Sequence, residues 1–350
     1  MPDRRKPDID TRGEFLLKPT DAMWEAMRSA DIGWPSWDED PYVTKLQELA
    51  AHMTGKEAAL LCPTTNVANL LAMMGFCSRG DVAIMEERCH LWWVEERNIA
   101  AHTAAAPRLI RGNKFGEMAI DDIEAAFTDC PYGFRPRTPL VCLENTHNVA
   151  GGIALSLDYL TQVAEVTHNH DASLFVDGAR FFNAAVAHGL SLSELAAPVD
   201  ALSLSLNKGI GAPYGSMLCG SAALIEGARD NHRMLGSHSI HKEGLFAAAA
   251  IVALETMIPR LAEDHARARR LAELLSPMDG ISVDMETVQT NIVRVEINCM
   301  TPAEFTERVL GKGVGVSVLD AGAVKFITHH GLDDDDIDKA AAIVGEVLAA

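Results

Sequence analysis

The sequence predicts an α/β protein: a mainly parallel sheet covered by helices on both faces, followed by a smaller α+β unit. Short apolar runs alternate with amphipathic stretches through most of the chain. The runs are apolar at successive positions, which is how strands read when both faces are buried. Past about residue 258 the strands shorten and a long charged helix intervenes, so the boundary between the two units falls near 250–260.

Taken in order, 43–53 sets Val43, Leu46, Ala50 and Met53 on one face at helical spacing. A strand is expected at 58–61, a helix over 66–77, and strands at 82–85 and 140–143. After a helix over 157–169 come strands at 173–176, 201–206 and 216–219. The Ala-rich run 245–254 is closed by Glu255 and is about half the roughly 20 residues a membrane span needs, so it reads as a helix buried in a core or a subunit contact. The second unit begins with a charged helix over 260–275 and has strands at 281–284, 292–296, 315–319 and 323–328. A helix is expected over 302–310, and a last one starts at Asp333, where an Asp run meets the positive end of the helix dipole.

Composition narrows the function. With 48% hydrophobic and 23% charged residues the chain can offset its ordering entropy, and no repeat or low-complexity linker divides it. Thirty basic against 49 acidic residues leave a charge of −19, which argues against nucleic acid or anionic membrane as partners. Seven Cys, an odd number with no C-x-x-C, read as free thiols in a reducing, cytoplasmic compartment. The start, MPDRRKPDIDTRGEF, has no apolar stretch of the secretory kind. The metal expectation is none: His168–His170 and His329–His330 lack zinc-site spacing. Arg267, Arg269 and Arg270 read as one solvated helix face.

Three segments can carry chemistry. In SLSLNKGIGAPYGS, Lys208 sits at the mouth of an apolar strand before a Gly-rich turn, where desolvation lowers an ammonium's pKa toward nucleophilicity. In SLFVDGAR, Asp177 ends a buried strand, the position at which open α/β sheets bind ligands. In CPTTNVANLL, Thr64, Thr65 and Asn66 open a helix whose free N–H groups bind phosphate without a basic residue. Taken singly, Lys208 is more readily a surface lysine, Asp177 is commonly a helix-capping or turn aspartate, and the 64–66 turn is equally an ordinary cap. Together, a strand-end carboxylate and a strand-end lysine about one βα unit apart are what pyridoxal 5'-phosphate needs, one for its ring nitrogen and one for its aldehyde.

These residues, with EDPYVTKLQELAAHMTGKEAAL, LENTH and VDGARFFNA, carry a resemblance to the threonine aldolase branch of the β-eliminating lyase family, from about residue 9 to 328. The resemblance implies an aspartate-aminotransferase-like fold (pyridoxal phosphate fold type I) with a seven-stranded sheet. It divides the chain into an N-terminal arm (1–40), a large cofactor-binding domain (41–255) and a small C-terminal α+β domain (256–350). It makes Lys208 the lysine that holds the cofactor, Asp177 the partner of the pyridine nitrogen, and Thr64, Thr65 and Asn66 the phosphate turn. His90 would stack on the cofactor ring, Arg180 receive the substrate carboxylate, and His147 stand near the substrate hydroxyl where proton removal starts cleavage. The implied reaction is retro-aldol cleavage of a β-hydroxy-α-amino acid to glycine and an aldehyde. The alternatives are β-elimination, transamination, or a binding protein without catalysis. The implied assembly is a homo-oligomer, a dimer of dimers with active sites between subunits.

The sequence departs from that family around the substrate carboxylate. Gly13 stands where a Ser helps hold it, and Lys325 where a second Arg is expected; Lys keeps the charge and loses the fork. Trp37-Asp38 replaces Tyr-Gly, Asn207 replaces a Ser, and 237–243 replaces a Gly-Gly-Met-Arg-Gln stretch that reaches a neighbouring site, leaving His241 or Lys242 as the candidate cation there. The cofactor residues are intact, so substrate choice is where this chain is expected to differ.

Overall fold

The computed structural model describes residues 6–34, 39–128, 133, 135–238 and 240–350. Among these residues the strands in chain order are β1 (Ile9–Asp10), β2 (Ala58–Cys62), β3 (Val82–Glu86), β4 (Ala106–Ile110), β5 (Leu140–Glu144), β6 (Ser173–Gly178) and β7 (Ala201–Ser205). They continue with β8 (Ser216–Gly220), β9 (Ile281–Ser282), β10 (Ile292–Ile297), β11 (Val314–Gly315), β12 (Ser317–Val318) and β13 (Ala323–Ile327). The large sheet has seven strands in the order β2-β8-β7-β6-β5-β3-β4. All run parallel except β8, which is antiparallel to β2 and to β7. The continuous apolar runs are its five central strands and β2. The sequence reading lacks β4 for a physical reason: APRLI is an edge strand, largely exposed, with a proline that an edge tolerates.

Local chemistry sets the helix ends. Asp40 caps the helix Pro41–Thr54 by accepting from the amides of Tyr42 and Val43, with Pro41 at its first turn, and Gly55 closes it in the left-handed region at φ 67°. Thr64 caps Thr65–Phe76 through the Val67 amide. The Ala-rich run lies in the helix Glu243–Thr256, which packs on Asp21–Ser29 and Pro41–Thr54 as a core element. Among the described residues no single helix is long and apolar enough to cross a membrane.

A second hydrophobic cluster draws together Leu271, Leu275, Val293, Val295, Phe305, Phe326 and Val344 under the four-stranded antiparallel sheet β12-β13-β10-β9. The strand expected at 315–319 is two strands: β11 pairs with β1, and β12 with β13. The one expected at 281–284 ends at Ser282. Asp333 and Asp336 form a capping box on the helix Asp334–Leu348. The arginines of Leu261–Leu275 are more than a solvated face, since Arg267 and Arg270 bond Asp334 (3.0 Å) and Asp338 (2.6 and 2.8 Å) on that last helix.

The N-terminal segment belongs physically to the second cluster. Ile9 is one of its members, the Thr11 hydroxyl donates to Gly315 O (2.7 Å), the Ile327 amide donates to Thr11 O (2.9 Å), and His329 donates to Asp10 O (2.8 Å). His168 and His170 are engaged by Asp200 and Glu124, each at 2.9 Å. The six described cysteines are unpaired and all but Cys299 are buried; Cys130 lies outside the described residues, as do Trp37 and Asp38.

Candidate active site

The carboxyl ends of the parallel strands gather the polar side chains. Glu144, Asp177 and Ser203 stand in register on β5, β6 and β7, Glu86 ends β3, and Lys208 follows β7 in a turn closed by the Gly211 amide on Lys208 O (2.8 Å). The capped start of Thr65–Phe76 opens beside β2, with Thr64 exposed and Thr65 and Asn66 half-buried.

Asp177 is buried and is the centre of a network. Its Oδ2 accepts from Asn69 Nδ2 (3.0 Å) and its Oδ1 from the Ala179 amide (3.2 Å), with the Ser203 hydroxyl at 3.5 Å. Burial raises its pKa, and nearby His90 and Lys208 oppose that. Burial, then the charge of Arg180, lowers the pKa of Lys208. The two predicted cofactor groups therefore lie within each other's field.

The histidines differ in their bonding. His90 Nδ1 meets Glu95 Oε1 at 2.8 Å and the His90 amide donates to Glu144 (2.8 Å). His147 is buried with both nitrogens committed: Nδ1 accepts from the Ala150 amide (3.2 Å), so Nε2 carries the proton and donates to Glu86 (3.1 Å). Gly116 at φ 78° is packed so closely that a Cβ there would lie 2.3 Å from the His147 ring.

The predicted carboxylate receptor, Arg180, is gripped by a carboxylate of the chain itself. Its Nε and Nη2 donate to Glu14 Oε1 (2.6 Å) and Oε2 (3.1 Å), and both residues are buried. Burial opposes ionisation of Glu14, but the Arg180 charge and hydrogen bonds overcome it and hold the carboxyl at about 2. Gly13 beside it offers no side chain; a Cβ would lie 2.2 Å from the Phe15 ring, which folds back over it. Lys325, on β13, donates to Asn148 Oδ1 (2.8 Å), and burial, then Arg180, pushes its pKa down to about 8. His241 and Lys242 are exposed, at the start of Glu243–Thr256.

The structure thus brings Lys208, Asp177, Arg180 and Lys325 into one charged site, with His90 3.9 Å from Asp177 and His147 buried against Glu86. Reading the sequence alone misses Glu14, Asn69, Glu86, Glu95, Glu144 and Ser203. For Glu86 and Glu144 the signal is present, because VAIME and LVCLE end in a carboxylate as LFVD does. Asn69 and Glu95 carry no such mark.

A half-buried lysine of lowered pKa, a buried strand-end carboxylate and an open helix start fit an aldehyde, a ring nitrogen and a phosphate in turn. On this sheet topology they define a pyridoxal-phosphate-dependent enzyme of fold type I. The chain belongs to the beta-eliminating lyase family, whose model matches residues 16–298. It is 35% identical to low-specificity L-threonine aldolase 1 of Arabidopsis thaliana, over 94% of this chain and 93% of that protein. It is 34% identical to the low specificity L-threonine aldolase of Escherichia coli (strain K12), over 95% of this chain and 97% of that protein. The solved structure of Leishmania major threonine aldolase superposes with a TM-score of 0.81 at 17% identity, covering 97% of this chain and 99% of that one.

Proposed function

We propose that this protein is an aldehyde-lyase that cleaves β-hydroxy-α-amino acids to glycine and an aldehyde. The observation that carries the reading is the placing of half-buried Lys208 within the electrostatic reach of buried Asp177 at the carboxyl edge of the sheet, in a chain of this family. When bound, pyridoxal phosphate supplies the electron sink for the carbon–carbon bond that breaks. Lys208 would hold its aldehyde, Asp177 keep its ring nitrogen protonated, His90 stack on its ring, and the amides of Thr65 and Asn66, with the Thr64 hydroxyl, take its phosphate. Lys325, with the Nη1 edge of Arg180 that Glu14 leaves open, would hold the substrate carboxylate. His147, locked by Glu86 and Ala150, positions the hydroxyl and gives no lone pair to its proton.

The 1–40 arm, the 41–255 domain and the 256–350 domain would meet at this site, since Glu14 reaches Arg180 from a segment stitched to β11 and β13. Association of copies of the chain, as in a dimer of dimers, would cover the exposed apolar residues Trp24, Ile32, Trp93 and Val94, the last two adjoining His90. Unpaired thiols support a cytoplasmic setting. The test is incubation of the purified, cofactor-loaded protein with threonine, allo-threonine and phenylserine isomers. Glycine and the matching aldehyde are expected. Ammonia and a keto acid in their place would establish β-elimination, and no glycine from any of them refutes aldol cleavage.

A further inference from the structure

We propose that Glu95 is a positioning residue of this site: it holds the proton of His90 on Nδ1, so that Nε2 is the ring nitrogen that accepts the substrate's hydroxyl proton. Glu95 is buried although Val94 before it is 62% exposed and Glu96 after it is exposed, and a glutamate is rarely drawn inward without a partner. Its partners are specific. Oε1 accepts from His90 (2.8 Å) and from Asn69 Nδ2 (2.9 Å), while Oε2 is buried with no hydrogen-bond partner.

The direction of these bonds follows from Asn69. Its nitrogen serves two carboxylates, Glu95 and Asp177, and its oxygen accepts the Ser203 hydroxyl (2.7 Å), so its amide has only one satisfactory orientation. Oε1 is therefore already an acceptor, and any proton on Glu95 belongs on the unpartnered Oε2. In either state of Glu95, His90 Nδ1 is the donor and Nε2 keeps its lone pair. His147 is the reverse, with no lone pair left on either nitrogen. Of these two rings, only His90 can take up a proton without first breaking a bond.

The charged groups around His90 and Glu95 favour that uptake. Asp177 Oδ2 on β6 is 3.9 Å from His90 Nδ1, and Glu144 on β5 accepts the His90 amide; the charge of Lys208, after β7, acts on Asp177, while Asn69 and Ser203 are neutral. Burial and Asp177 lift Glu95 to about 7 against the His90 bond. Burial works against a charged His90, but the Glu95 bond and the surrounding carboxylates outweigh it and raise the pKa. The two groups consequently titrate as a coupled pair.

The inference rests on the lyase reading for its consequence and on hydrogen-bond geometry for its assignment, and the experiment separates the two. Glu95→Gln keeps the acceptor and loses the charge; Glu95→Leu loses both. Full-length protein freed of cofactor is treated with diethyl pyrocarbonate across pH, and each histidine is read by peptide mass spectrometry. His90 is expected to react and His147 to be protected, with the His90 midpoint falling by about one pH unit or more in Glu95→Gln. In the loaded enzyme, kcat falls about tenfold or more with KM little changed, and the acid limb of the kcat profile moves with the midpoint. An unchanged His90 midpoint in folded Glu95→Gln, or reaction at His147 in place of His90, overturns the assignment whether or not glycine is formed.

Discussion

Replacing Glu14 by alanine strands the Arg180 guanidinium, which is 6% exposed and bonded through Nε and Nη2 to that one carboxylate. Two routes give the cost. Removing one partner of a buried ion pair destabilises by about 3–5 kcal/mol, because the remaining charge is left uncompensated in a poor solvent. A fully buried carboxyl drawn from 4.5 to about 2 corresponds to about 3 kcal/mol. The folded-state pKa lies below the unfolded one, so this stabilisation is complete above about pH 4.5 and is lost as pH falls toward 2. Urea unfolding at pH 7, at fixed protein concentration and with pyridoxal phosphate saturating in every sample, measures it. Glu14→Ala should lose about 3 kcal/mol, and Glu14→Ala/Arg180→Met should lose less than the two single changes together, since the double variant buries no lone charge. A loss under about 1 kcal/mol, or strict additivity, would refute the reasoning.

Lys325 and Asp177 give two more. Lys325 has a pKa of about 8, so the free enzyme loses a positive charge as pH rises through that value; KM for the amino acid should climb there, the climb should vanish in Lys325→Arg, and Lys325→Met should show high KM at every pH. A flat KM across pH 7–9 in the native protein would remove Lys325 from carboxylate binding. Asp177→Ala should lower kcat by roughly a hundredfold while pyridoxal phosphate is still retained, as judged by absorbance after dialysis; unchanged turnover would remove Asp177 from the mechanism.

Much of the fold is legible in the sequence because central strands announce themselves. LVCLE, SLFVD and ALSLS are buried on both faces, so their apolar runs survive any alignment of the helices around them. β4 does not, since an edge strand with Pro107 has neither the run nor the alternation. Lys208, Asp177 and the 64–66 turn are legible for a related reason, each lying at the end of a regular element where chemistry needs one residue type.

By itself, then, the sequence determined the architecture and marked the residues proposed to hold the cofactor, because both depend on local pattern: apolar period, strand end, helix start. Only the tertiary structure decided what those residues are bonded to. Glu14 lies 166 positions from Arg180, and Asn69 lies 108 from Asp177 and 134 from Ser203. Glu95 meets His90 five residues away, yet its role depends on Asn69 arriving from another helix. Charge and proton placement in a buried site are set by contacts across the fold, where low dielectric makes each partner count, and no local pattern encodes which partner arrives.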